Sequence, residues 1–137
     1  MSKPYQMSQS YVMSDDAVRF ATMIMTGQGV SNEDAAIIAE CLVEADLRGV
    51  QTHGLSRLPV YVERVQRGVI KAVPNMKFEN PVAACGSLDG DNGFGFLVGR
   101  RAMQEAITMA DSCGVCVVAA RNSNHFGMAA TYLLQAV

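Results

Sequence analysis

Six consecutive residues, Val115 to Ala120 (VCVVAA), are small or β-branched and apolar, with no polar residue alternating among them. Such a run suits a strand covered on both faces, the setting of parallel sheets in α/β folds. It follows a helical stretch, Gly95 to Gly114, in which Val98, Ala102, Ala106 and Met109 fall on one face. Before that, Lys77 to Gly93 (KFENPVAACGSLDGDNG) reads as short strands broken by turns. After it, Asn124 to Val137 (NHFGMAATYLLQAV) starts another apolar helix. The second half of the chain therefore predicts a strand–helix–strand–helix layer.

The first half has another texture. Ser14 precedes a helical pattern of Val18, Ala21, Ile24 and Met25 and is placed to cap it, with Asp15 and Asp16 favouring the positive end of the helix dipole. Gly27 and Gly29 stop that helix. Ser31 and Asp34 resemble a capping box for the next, which runs to Gly49. A third helix is predicted to begin near Thr52 to Gly54, with Pro59 near its first turn and Gly68 closing it. Pro74 and Pro81 exclude helix interiors nearby. The division expected is a disordered lead over residues 1–13, a helical domain over 14–72 and a partial α/β domain over 73–137. The last helix ends without a capping signal while still apolar, so the α/β part is expected to be truncated at its C-terminus.

Composition excludes several functions. Half of the 137 residues are apolar, enough for a real core. The formal net charge is −2 with no Lys/Arg-rich run, which argues against a nucleic-acid partner. No apolar run could span a bilayer, and the N-terminus lacks a signal-peptide core, so no membrane partner is expected. Cys41, Cys85, Cys113 and Cys116 sit among apolar residues and read as core thiols in a reducing cytoplasm. The C-x-x-C of Cys113 and Cys116 has no second pair at zinc-site spacing, so no metal is expected. The nine methionines are dispersed and read as core filler.

Three polar knots interrupt this apolar chain. In THGLSR, His53 and Arg57 lie four apart. At the start of a helix they would share a face, the imidazole passing a proton and the guanidinium gripping a carboxylate. Spacing alone favours the plainer alternative, a capping His53 and a solvated Arg57, because His-x-x-x-Arg is common. In RNSNHFG, Asn122, Ser123, Asn124 and His125 follow the apolar strand, where α/β folds place ligands, and a helix starting there would aim its N–H groups at one. The alternative is a plain helix cap. DGDNGFG, with glycines at 90, 93 and 95, is neither G-x-G-x-x-G nor a Walker loop. It reads as a glycine turn, in which Asp89 or Asp91 caps the helix or holds a distant basic group.

Together, ADLRGVQTHGLSRLPVYVERVQRGVI, LDGDNGFG, VGRRAMQEAI and VAARNSNHFGMAATY resemble the malate/L-lactate dehydrogenase family of NAD(P)-dependent enzymes. That family includes L-sulfolactate, ureidoglycolate and 2,3-diketo-L-gulonate enzymes and Δ1-piperideine-2-carboxylate reductases. The resemblance runs from about Ser14 to Val137. It implies a non-Rossmann α/β NAD(P)-binding domain after the helical segment, a homodimer in the full-length form, and hydride transfer between nicotinamide and a small 2-oxo or 2-hydroxy acid, or a cyclic imino acid. It implies that His53 is the general acid/base, that Arg57 binds the substrate carboxylate and that His125 lines the same cleft. Thr52 stands where many members carry serine, and Gln51 replaces a commoner aspartate. Members are far longer, so only part of the dinucleotide site is expected here. The residues reading NAD against NADP are expected past Val137. A non-catalytic chain that pairs with an intact subunit is the rival reading, and a module binding metal through His53, His125 and the cysteines is a second.

Overall fold

The computed structural model describes residues 11–137, so most of the expected disordered lead, residues 1–10, lies outside the described residues. Three helices come first: α1 (Ser14–Thr26), α2 (Asn32–Leu47) and α3 (Leu58–Gln66). Strands β1 (Lys77–Val82) and β2 (Cys85–Gly93) follow, then α4 (Gly95–Cys113), β3 (Val117–Ser123) and the short α5 (Ala130–Leu133). The sheet order is β1-β2-β3; β1 runs antiparallel to β2, and β3 runs parallel to it after crossing over through α4. This is the mixed helix-and-sheet α/β (α+β) class that the texture change predicts.

Several local signals act as expected. The Ser31 hydroxyl accepts the Asp34 N–H at 3.1 Å and donates to the Asp34 carboxylate at 2.9 Å, which fixes the start of α2. Pro59 lies in the first turn of α3, where no N–H is needed. Gly114 takes the left-handed conformation at φ 75° and ends α4.

Other expectations are corrected. Ser14 is the first helical residue; Met13 holds the cap position and no side chain caps α1. The third helix does not begin at Thr52. Gln51–His53 and Leu55–Arg57 form two tight 3₁₀ turns, Gly54 between them is extended, and α3 starts only at Leu58. The reason is Asp46 of α2: its carboxylate accepts the Leu55 N–H at 2.8 Å and presses against Gly54, holding the chain out of helical geometry there. The last helix also starts late, at Ala130 rather than at Asn124, because the backbone at 124 and 125 lies against Gly95.

β3 takes up only the later part of VCVVAA, from Val117, and runs on through Arg121 to Ser123, so the second knot begins within the strand; it is exposed along nearly its whole length and not covered on both faces, an edge strand in which Val117 is 65% exposed. Of the cysteines only Cys41 is a core residue; Cys85 is exposed and Cys113 and Cys116 are half-buried near the starts of β2 and β3.

The core joins both halves of the chain. Ala21, Met25, Ile38, Leu42, Leu58, Tyr61 and Ile70 pack with Phe94, Phe96 and Leu97 of the turn into α4. Tyr61 meets Phe94 and Phe96 edge-on, at ring-centroid distances of 6.3 and 5.3 Å. This packing seats the start of α3 against the start of α4, and so brings the polar knots together.

Candidate active site

Gly54 lets the first knot form. A Cβ there would lie 1.9 Å from an Asp46 carboxylate oxygen, so only glycine admits the contact that bends the chain between His53 and Leu55. The bend half-buries His53, whose Nδ1 lies 2.9 Å from the Thr52 hydroxyl. Arg57 caps α3 from an exposed position.

The second knot is held by its own side chains. Asn122, left-handed at φ 51°, donates through its amide nitrogen to both Asp89 carboxylate oxygens at 3.1 Å. Arg121 pairs with Asp89 at 2.9 Å. The Asn124 amide donates to the carbonyls of Asn92 and Gly93 at 3.1 and 3.0 Å. Ser123 donates to the Asn124 carbonyl at 3.3 Å. In DGDNGFG, both aspartates hold distant basic groups: Asp91 pairs with Lys71 and accepts the Asn75 N–H, and Phe94, not an aspartate, caps α4. The N–H of Asp91 holds the Asp89 carboxyl below its usual range, aided by Asn122; Lys71 does the same for Asp91, aided by the Asn75 N–H. The Asn122 and Asn124 amides thus fix the loop that delivers His125.

The two histidines meet. Their rings stack with centroids 5.3 Å apart and an interplanar angle of 28°. His125 Nδ1 lies 2.8 Å from the Tyr61 hydroxyl. A small cavity of about 110 Å³ beside them is lined by Arg57, Val60, Tyr61, Arg64 and His125. Tyr61 and Arg64 were not among the residues singled out from the sequence. Their spacing from Arg57, by four and then three, is the signal that places all three on one face.

Burial first, then the positive charges of Arg57, His53 and Arg64, pull His125 below its usual value of 6.5. Burial raises Tyr61 above 10.0, against the opposing pull of Arg57 and Arg64. A protonated Tyr61 can donate to Nδ1 of a neutral His125, which leaves its Nε2–H free to donate. The folded chain holds fewer protons on His125 than the unfolded chain, so the linked stability is present above pH 6.5 and is lost as pH falls through the lowered pKa. Asp89 and Asp91, both below 3.8, lose their contributions only in stronger acid. Urea midpoints are expected to fall between pH 7 and 5, and the fall is expected to shrink in His125→Gln. An unchanged slope in that variant would show that His125 does not titrate differently on folding.

Among the described residues no group of three or more His, Cys, Asp or Glu side chains is arranged to hold a metal ion. No described helix is long and apolar enough to cross a membrane. What the site offers is an imidazole pair, one of them tied to a tyrosine, beside two guanidiniums. That suits proton transfer at an oxygen of an anionic substrate.

A family model described as malate/L-lactate dehydrogenase matches residues 12–137, the whole segment that forms this site. The chain belongs to the malate/L-lactate dehydrogenase family. Relatives in that family include the malate dehydrogenase of Pyrococcus abyssi, 42% identical over 125 residues, covering 91% of this chain and 34% of the relative. The L-sulfolactate dehydrogenase of Methanocaldococcus jannaschii is 45% identical over 104 residues, covering 76% and 30%. Among solved structures, the malate dehydrogenase of Pyrococcus horikoshii superposes with a TM-score of 0.86 at 39% identity, covering 93% of this chain and 38% of that one. The chain thus spans about a third of the length of the malate/L-lactate dehydrogenase relatives it matches.

Proposed function

We propose that this chain supplies the proton-transfer and carboxylate-binding groups of an NAD(P)-dependent 2-hydroxy acid dehydrogenase. The observation that carries the reading is the stacking of His53 on His125 beside Arg57, three residues drawn from two distant knots. His53 passes the proton at the substrate's C2 oxygen, its ring oriented through Nδ1 by Thr52. Arg57 takes the carboxylate as a bidentate fork. Neutral His125, tied at Nδ1 to Tyr61, offers its Nε2–H to the same oxygen. Asn122, Ser123 and Asn124 line the approach while holding the His125 loop.

The cofactor proposed is NAD or NADP, which exchanges a hydride with C2 of the acid when bound. The exposed carboxyl end of β3 next to the imidazoles suits the nicotinamide end of such a molecule. The N-terminus of α4 does not suit its phosphates, because Gly93 packs on Pro74 and Gly95 on the carbonyls of residues 124 and 125. A cytoplasmic homodimer with the division near residue 72 completes the proposal, the substrate being a small 2-oxo acid or a cyclic imino acid. Exposed Leu133, Leu134 and Val117 favour a second reading, a non-catalytic chain that pairs with an intact subunit.

The test is NADH and NADPH oxidation with pyruvate, oxaloacetate, sulfopyruvate and a cyclic imino acid. The chain would be assayed alone and grafted in place of the matching third of the Pyrococcus horikoshii malate dehydrogenase. Acid-dependent turnover by the graft is the expected result. A graft that folds and binds nicotinamide yet turns over none of the four would favour the non-catalytic reading.

A further inference from the structure

We propose that Cys113 and Cys116 are an oxidative modification site, a thiol pair that closes to a disulfide by exchange with a low-molecular-weight disulfide. The pair lies at the opposite end of β3 from the histidines, and the proposal is independent of the dehydrogenase reading above.

The turn of Ala83 and Ala84, between β1 and β2, gathers three thiols. Cys113, the last residue of α4, donates its S–H to the Ala83 carbonyl at 3.2 Å. Val117, next to Cys116, donates its N–H to the Ala84 carbonyl at 2.9 Å. Cys85 opens β2 opposite Val117. Only two of the three thiols share a side of the sheet. Along β2, Gly86, Leu88 and Gly90 alternate with Cys85, and Gly90 lies against Val98 of α4, so Cys85 points away from α4 and is exposed. Cys116 points toward α4, its thiol 3.7 Å from the Met109 sulfur. Met109 stands one turn before Cys113 on the same helix face. Gly114, left-handed at φ 75°, turns the chain between the two cysteines. Gly114 and Val115 are exposed, and a Cβ at Gly114 would meet nothing within 4 Å. The loop is therefore open to a small reagent and has room to bring the sulfurs to the bond length of about 2 Å.

A catalytic C-x-x-C opens a helix, whose N–H end holds a thiolate. This one closes a helix. Desolvation first, then the neighbouring Cys85 and Cys113, raise the Cys116 thiol above its usual value of 9.0. The dithiol gains no stabilisation here, so the disulfide persists once formed and is not passed on. In the first step Cys113 loses its proton to solvent, and its thiolate attacks one sulfur of the small disulfide. One small thiolate leaves and a mixed disulfide forms. The Cys116 thiolate then attacks the Cys113 sulfur and expels the second small thiolate. The two cysteines lose two electrons, which the small disulfide gains, and the protons they release end on the two small thiols.

The experiment equilibrates the 137-residue chain with reduced and oxidised glutathione, alkylates the remaining thiols and maps the tryptic peptides by mass. Cys113 and Cys116 lie together in residues 102–121, Cys85 in 78–100 and Cys41 in 20–48. The expected product is a 102–121 peptide that escapes alkylation and is lighter by two hydrogens. Cys85→Ser is expected to leave that product unchanged, and Cys116→Ser to stop at a mixed disulfide of Cys113 with glutathione. The equilibrium constant is expected to be about tenfold or more higher for the native chain than for the chain in urea, because the fold holds the pair together. Equal constants would show that the fold builds no such site. A 78–100 peptide cross-linked to 102–121 would put Cys85 in the bond and overturn the pairing. A 102–121 peptide alkylated at both cysteines under excess oxidised glutathione would overturn the proposal outright.

Discussion

Gly95→Ala is expected to destabilise the fold by about 3 kcal/mol or more, the upper end of overpacking costs, and to displace His125. A Cβ at Gly95 would lie 2.2 Å from the Asn124 carbonyl oxygen and 2.4 Å from that of His125. Both are backbone atoms, so no side chain can rotate away; either α4 or the loop must move. Asn124 pins that loop to the carbonyls of Asn92 and Gly93, which limits how far it can retreat. A useful contrast is Gly49→Ala. Gly49 has a φ of 75°, and a Cβ there would meet nothing within 4 Å, so only the left-handed backbone opposes alanine, at about 1–2 kcal/mol. Urea denaturation of both variants, with the His125 ring signal as a local probe, separates the two costs. Should Gly95→Ala cost no more than Gly49→Ala and leave His125 unmoved, the loop does not press on α4 as described.

His53→Ala in the grafted enzyme is expected to lower kcat by about 10²- to 10⁴-fold, the usual contribution of a general acid or base. The loss should appear in kcat and kcat/KM alike, because the proton moves only in the transition state. The fold should tolerate the change, since His53 is half-buried and, among the described residues, its one side-chain hydrogen bond is to the exposed Thr52. His125→Ala distinguishes the two imidazoles. Its ring is held by Tyr61 and kept neutral by burial and nearby cations, which suits a hydrogen-bond donor better than a group that cycles a proton. A smaller loss of kcat there than in His53→Ala fits these roles; the reverse ranking would exchange them.

Local chemistry made much of the architecture legible. Ser31 with Asp34, Pro59, Gly49, Gly68 and Gly114 each act at the place where hydroxyl, ring or missing Cβ dictates. The later part of VCVVAA became a strand because β-branched and small apolar residues suit extended backbone. Its covering was not legible, since exposure depends on what lies over the sheet. The histidine–arginine knot and the NSNHFG knot were readable as candidates because short polar groups at glycine turns stand out in an apolar chain.

What the sequence by itself determined was the order of elements, the start of α2, the ends of several helices and the identity of the two knots, because these depend on contacts within a few residues. Only the tertiary structure decided that the knots form one site. Asp46, Gly54 and Leu55 set a bend that no helical periodicity encodes. Tyr61 joins the core through Phe94 and Phe96 while its hydroxyl reaches His125, 64 residues away. Gly95 lets the second loop lie close enough for the imidazoles to stack. These contacts link residues far apart in the chain, and their geometry follows from packing, which a linear pattern does not carry.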